Sequence, residues 1–220
     1  MRPTAIATTL TLLLVPMAGA SIITGHVTAD NHYALYTGSA EGDWMMFHGA
    51  NERGPRGNPG RYNWSVAEYY QIQTDQPYLY LAAWSDDRVA QGVLADLRID
   101  GQPLLSGDGR WEVFRTGRDR DDGDPPPGVA EVARQVRRAM RHGWDDIAVG
   151  GFNGVQPWGT IADISTDARW MWADARGHHD PFGPGGDRGE YLIFRTAVPE
   201  PWSAGLLVIG AVTWLLFRRR

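Results

Sequence analysis

The sequence predicts a mainly β domain of the jelly-roll-like sandwich kind, with one surface helix and an apolar processing segment at each end. Three observations predict it. Short runs of alternating apolar and polar residues recur, with turn residues about every 8–12 positions. Glycine (27) and proline (14) leave room only for short elements, while ten tryptophans suit half-buried sheet surfaces. Helical spacing of apolar residues is convincing only over Val129–Arg141.

The first 20 residues, MRPTAIATTLTLLLVPMAGA, read as a signal helix. Arg2 gives a positive start, Ala5–Val15 is largely apolar, and Ala18-Gly19-Ala20 is an A-x-A cleavage site. Cleavage after Ala20 leaves a body spanning 21–197. His26–Thr28 and Tyr33–Tyr36 read as strands separated by a turn at Asp30-Asn31. Thr37-Gly38-Ser39 is a second turn, Trp44–Phe47 a further strand, and Asn51–Gly60 a loop. Ser65–Gln73 and Tyr78–Ser85 alternate well. In the latter, Leu79, Leu81 and Ala83 take one face, and Tyr78, Tyr80, Ala82 and Trp84 the other.

Gly92–Ile99 is a strand closed by Asp100-Gly101, a strong hairpin signal. Leu104-Leu105 and Trp111–Phe114 follow. The charged, proline-rich Arg118–Gly128 is a surface loop. The helix Val129–Arg141 places Val129, Val132, Ala133, Val136 and Met140 on one face and Arg134, Arg137, Arg138 and Arg141 mostly opposite. His142-Gly143 ends it. Strands are then expected at Ile147–Val149, Thr160–Ile164, Arg169–Ala173 and Glu190–Thr196, with a glycine-rich stretch over His178–Gly189.

Composition narrows the chemistry. The absence of cysteine excludes disulfides, thiolate metal sites and cysteine nucleophiles. All basic residues are arginine. Between Ser21 and Ala197 lie 25 acidic residues and 17 arginines, since only Glu200, Arg2 and Arg218–Arg220 fall outside; the body is near −8 with His neutral. So acidic a body argues against nucleic acid as a partner and fits an extracellular module, including one that binds cations.

The tail, VPEPWSAGLLVIGAVTWLLFRRR, has an uncharged run over Trp202–Phe217, 16 residues long, just short of the roughly 20 that cross a bilayer comfortably. It reads as a C-terminal transmembrane helix locked on the cytoplasmic side by Arg218, Arg219 and Arg220. Pro199 and Pro201 keep the segment before it extended. With Glu200 between them, Gly205 and Gly210 in the apolar run and the terminal arginines, residues 198–220 resemble the PEP-CTERM sorting domain of Gram-negative bacteria. That resemblance implies recognition by an exosortase, cleavage near Pro-Glu-Pro, and a link to exopolysaccharide and biofilm production.

The body is similar to galactose-binding-like jelly-rolls. The residues that carry the resemblance are TADNHYALYTG (Thr28–Gly38), the stretch from Tyr69 to Val113, GWDDIAVGG with QPWG (Gly143–Gly159), and ARWMWA (Ala168–Ala173). It implies a two-sheet sandwich of the kind found beside glycosidase domains.

Residues suited to chemistry are few. Asp86-Asp87, Asp121-Asp122 and Asp145-Asp146 are paired carboxylates, but sequence neighbours on a strand point to opposite faces and do not flank one glycosidic bond; they read as solvated turn acids. Asp119, Asp121, Asp122 and Asp124 offer hard oxygens to Ca²⁺, although their spacing is not that of an EF-hand. Asp86-Asp87 and Asp30-Asn31 are weaker candidates of the same kind. His178-His179-Asp180 lacks the spacing of a zinc site, and no G-x-S-x-G elbow occurs. Trp84, Trp144, Trp158, Trp170 and Trp172, with Trp111, suit stacking on sugar rings or packing between sheets. Trp170 and Trp172 are expected to share a face. The helix arginines either touch an anionic polysaccharide or form a solvated face.

The expected protein is thus an exported envelope or matrix component, transiently anchored through its tail. Its body is non-enzymatic, needs no cofactor, and binds exopolysaccharide or another glycan or serves structurally. A calcium-dependent adhesion or protein-binding module is the alternative, and a glycan-active enzyme is a third.

Overall fold

The computed structural model describes residues 19–51, 64–85, 89–174, 180–183 and 190–200. Residues 1–18 of the expected signal segment (1–20) and residues 201–220 of the expected sorting tail lie outside the described residues. Among the described residues, no helix is long and apolar enough to cross a membrane.

The described chain forms β1 (Ser21–Asp30), β2 (His32–Gly38), β3 (Met45–Ala50), β4 (Glu68–Thr74), β5 (Tyr78–Trp84), β6 (Gly92–Ile99), β7 (Gln102–Leu105), β8 (Glu112–Asp119), α1 (Val129–His142), β9 (Asp145–Phe152), β10 (Arg169–Ala173) and β11 (Glu190–Ala197). The mainly β class with one helix is as expected. The strands join into one antiparallel sheet in the order β3-β2-β5-β11-β8-β9-β10-β6-β1-β4, with β7 beside β6. Between β8 and β9 the ladder thins to two pairs, Glu112 with Asp146 and Val113 with Asp145, and there the sheet folds over on itself. The two free edges also approach one another. Gly49 of β3 lies so close to the Tyr70 ring of β4 that a β-carbon would sit 2.8 Å from it.

The apolar residues explain the closure. Ile23, Val27, Val93, Leu97 and Trp172 from one half meet Leu35, Leu79, Leu81, Leu192 and Phe194 from the other in a buried core. Both outer faces are covered as well. Helix α1 lies over Tyr36, Tyr80, Trp84, Tyr191 and Ile193. The segment after β9 covers Leu94 and Trp170 with Trp158, Ile161 and Ile164.

Several sequence expectations are corrected. The expected break at Asp30-Asn31 is a bend between two strands that do not pair with each other. β1 pairs with β4 and β6, whereas β2 pairs with β3 and β5, so the chain crosses there from one layer to the other. Thr160–Ile164 is a turn region, not a strand. The Asn153 carboxamide supplies the bonds that a neighbouring strand would have made. Its Nδ2 donates to the Ile161 and Ile164 carbonyls at 2.9 and 2.8 Å, and its Oδ1 accepts from the Ile161 amide at 2.7 Å. Asp100-Gly101 is the expected hairpin, with φ of 49° and 80°, the pair of positive values a two-residue I′ turn requires.

The helix docks on a stripe rotated from the predicted one. Val132, Ala133, Gln135, Val136 and Ala139 are buried, while Val129 and Met140 are exposed. Gly42 sets this docking. It has φ 71°, and a β-carbon there would meet the Ala133 carbonyl oxygen at 2.8 Å and Val136 at 3.0 Å. We expect Gly42→Ala to cost about 1–3 kcal/mol. Gly109→Ala, which meets nothing within 4 Å, should stay within about 0.5 kcal/mol of the parent. Urea midpoints at constant m check both.

Both ends of the body leave from one pole. The Ser21 hydroxyl donates to the Pro199 carbonyl at 3.1 Å, and the Val198 amide donates to the Pro77 carbonyl at 2.8 Å. β1 then runs from Ser21 to Asp30, roughly 30 Å at strand rise. The Asp30-Asn31 corner therefore lies at the far pole.

Candidate functional site

At that corner the surface opens into a cleft of about 330 Å³ lined by Asp30, Asn31, Trp64, Val89, Ala90, Pro157 and Trp158. The size is at the lower end for small-ligand sites. Its floor is rigid. The Trp158 ring stacks on Trp170 at 4.1 Å between centroids and 21° between planes, and Trp170 is fully buried. The Trp158 indole N–H donates to Asp30 Oδ2 at 2.7 Å. A buried carboxylate thus fixes one indole of the cleft, a charge-assisted bond in a low-dielectric setting.

The rest of the wall is pinned through the backbone and amides. Thr28 Oγ1 donates to the Trp64 carbonyl at 2.8 Å. Asn51 Nδ2 donates to the Asn31 carbonyl at 2.7 Å, Asn51 Oδ1 accepts from the Tyr33 amide at 3.1 Å, and the Ser85 hydroxyl donates to Asn31 Oδ1 at 3.2 Å. Behind the corner, the Tyr33 hydroxyl donates to Glu68 Oε2 at 2.7 Å and lies 3.0 Å from the Tyr70 hydroxyl. Burial first, then the neighbouring Tyr70 and Glu68 charges, hold the Tyr33 hydroxyl far above the usual tyrosine range. Val89, 71% exposed, forms the open rim.

Two indoles, a carboxylate and a carboxamide around a small cleft suit a ring with one apolar face and hydroxyls at its edge. Of the tryptophans singled out from sequence, only Trp158 lines this cleft. Trp84 is buried, stacked on His32 at 4.6 Å with the Arg120 guanidinium 5.7 Å away. Trp170 and Trp172 are fully buried, and Trp144 is half-buried with the Arg195 guanidinium 4.1 Å from its centroid. Trp84, Trp170 and Trp172 are buried on one side of the sheet or the other and present no ring face to a sugar, whereas Trp144 is half-buried with Arg195 over its ring. Trp170 and Trp172 also fall into different clusters. Opposite them β9 carries an extra residue, Arg169 facing Phe152 and Met171 facing Val149. Trp64 was not legible as a site residue, because it sits outside any alternating run.

The loop acids do not converge. Asp124 Oδ2 accepts from the Asp121 amide at 3.0 Å, Asp122 Oδ1 faces His32 Nε2 at 3.5 Å, and Asp119 ends β8 opposite Glu190. Among the described residues, no group of three or more His, Asp or Glu has the geometry to hold a metal ion. Of the helix arginines, Arg137 donates to the Gly42 carbonyl at 2.7 Å and Arg138 to the Thr116 carbonyl at 2.8 Å; Arg134 and Arg141 are exposed. Asp86, Asp87, His178, His179, Ala18, Pro201 and Arg218–Arg220 lie outside the described residues.

Fold and cleft together define a mainly β domain with a small aromatic and polar corner site. No family model, no curated protein and no solved structure matches the chain.

Proposed function

We propose that this is an exported bacterial protein of the cell envelope or extracellular matrix, whose body is a non-catalytic, jelly-roll-like β-sandwich that binds a glycan at the Asp30-Asn31 corner. The observation that carries the reading is the corner cleft itself. It joins Trp64 and Trp158 to Asp30 and Asn31 at the pole opposite the one where both chain ends leave. Such a cleft accepts a terminal sugar ring from the matrix side while the tail holds the other pole at the membrane. Among the described residues, the cleft lining holds one carboxylate, Asp30, which accepts the Trp158 indole N–H; glycoside hydrolysis uses two carboxyl groups flanking the bond.

The sorting part of the reading rests on Pro199, Glu200, Pro201 and the apolar, arginine-ended tail. An exosortase recognises this segment, cleaves near Pro-Glu-Pro and releases the body, which ties it to exopolysaccharide and biofilm. Val198 is buried against the body, so the motif begins at the folded surface with no spacer. Mass spectrometry of the surface form should find a C-terminus near Pro199–Pro201, and an intact Arg218–Arg220 end would overturn the processing. Binding is tested on a glycan array with the full chain in mild detergent. Trp64→Ala should abolish the signal from short glycans bound through a terminal ring, while leaving the melting midpoint within a few degrees of the parent. A signal indifferent to this change would remove the corner from the reading.

A further inference from the structure

The outward face of β4, β1 and β6 carries a pattern that the corner cleft does not use. Register places its side chains in rows across three strands. Tyr69, His26 and Asp96 form one row, and Gln71, Thr24 and Arg98 the next; Gln73 pairs with Ile22 in a third. Their inward neighbours Ile23, Val27, Ile72, Leu97 and Ile99 are buried in the core, so these rows face out. Tyr69 is 57% exposed and leans on the His26 ring, 5.1 Å between centroids. At this end the face deepens into a cleft of about 220 Å³ bounded by Tyr69, Asp96, Arg98 and Asp163. Asp96 Oδ2 also accepts the Ser165 amide at 3.0 Å, which fixes the turn that walls the cleft.

We infer that this face is a second binding surface, and that it takes a neutral polysaccharide strand laid along it. The chemistry selects that occupant. The face alternates donors and acceptors, with the Gln71 and Gln73 amides, the Thr24 hydroxyl, the Arg98 guanidinium and the Asp96 carboxylate, and it flanks them with one exposed aromatic ring. Hydroxyl groups satisfy both kinds of partner, and the apolar side of a sugar ring suits Tyr69. One arginine against two aspartates gives no attraction for a polyanion, nucleic acid included. Ile22 and Tyr69 are the apolar side chains of these rows on β4, β1 and β6, and the rows continue onto β7 with only Pro103 and the half-buried Leu105, too few for the apolar centre of a stable interface with a second copy. From Ile22 to His26 the rows span about 13 Å, more than one sugar ring. The inference rests on the reading of the body as a glycan-binding module but not on the corner cleft, and the two can fail separately.

Native affinity electrophoresis of the full chain in mild detergent tests it, with glucomannan, mixed-linkage β-glucan and hydroxyethylcellulose in the gel as neutral probes and alginate as the polyanion. At least one neutral polymer should retard the protein. Tyr69→Ala, and Gln71→Ala combined with Arg98→Ala, should each weaken that retardation about three- to tenfold. Trp64→Ala should leave it unchanged. All the substituted residues but Trp64 are exposed, so melting midpoints should hold. Absence of retardation by every neutral polymer overturns the inference, as does retardation by alginate alone. Retardation lost in Trp64→Ala but kept in the face variants moves the sugar to the corner, which overturns the face and supports the corner reading.

Discussion

Trp170→Ala is expected to destabilise the body by about 3–5 kcal/mol and to weaken any ligand held at the corner. The Trp170 ring is fully buried, and Gly92 lies flat against it; a β-carbon on Gly92 would sit 2.8 Å from the indole. The substitution therefore removes one of the two tryptophans buried in the outer cluster and leaves a void that its neighbours fill only in part. It also removes the surface on which Trp158 stacks. The indole bonded to Asp30 then loses one of its two constraints, and the cleft loses its floor. Trp170→Phe keeps part of the stack and should recover a large share of the stability. Trp144→Ala, at a half-buried position, should cost less than Trp170→Ala. Urea unfolding at constant m measures all three. Equal losses for Trp144→Ala and Trp170→Ala would contradict the buried stack.

The same arrangement explains what the sequence could and could not reveal. Local signals were legible where one short stretch decides the geometry. Asp100-Gly101 demands positive φ at both residues, and the helix after Pro127 follows from its spacing alone. Alternation in β5 correctly separated Leu79, Leu81 and Ala83 from Tyr80, Ala82 and Trp84. It could not say which side meets water, because α1 covers the outer face and both sets are buried. For that reason Trp84 and Trp170 looked equally suited to ligand and to core. The corner was hidden for a different reason. Asp30, Trp64 and Trp158 are brought together by the crossing from β1 to β2 and by the segment after β9. Asp30 and Trp158 stand 128 positions apart, and no periodic signal links them. Thr160–Ile164 was misread because Asn153, a single side chain, replaces a whole strand partner.

Alkaline pH should unfold the body steeply, beginning near pH 10. The chain has eight tyrosines, no lysine and no cysteine, so tyrosine dominates proton release between about pH 9 and 12. Four tyrosine hydroxyls are held well above their ordinary value. Burial is the largest cause at Tyr33, Tyr36, Tyr80 and Tyr191; at Tyr36 and Tyr80 it outweighs the opposing effects of Arg120 and Arg195, and at Tyr191 Glu131 adds to it. The sign follows from proton counts. Below about pH 10 folded and unfolded chains both keep these protons, and stability does not depend on them. Above it the unfolded chain releases them while the folded chain retains them. The unfolded state then binds fewer protons, so stability falls as pH rises, until the raised folded values are reached. Each tyrosine contributes a slope of about 1.4 kcal/mol per pH unit, and the four together approach roughly 5 kcal/mol per unit. Melting midpoints between pH 8 and about 11.5 should therefore be flat and then drop, with tyrosinate absorbance from these four appearing together with unfolding. Tyr36→Phe removes one titrating group and the bond from its hydroxyl to the Pro127 carbonyl. It should lower stability at neutral pH yet reduce the alkaline slope by about one part in four. A folded body showing full tyrosinate absorbance at pH 11 would mean that these hydroxyls lie open to water, and with them the packing of α1 against Tyr36, Tyr80 and Tyr191.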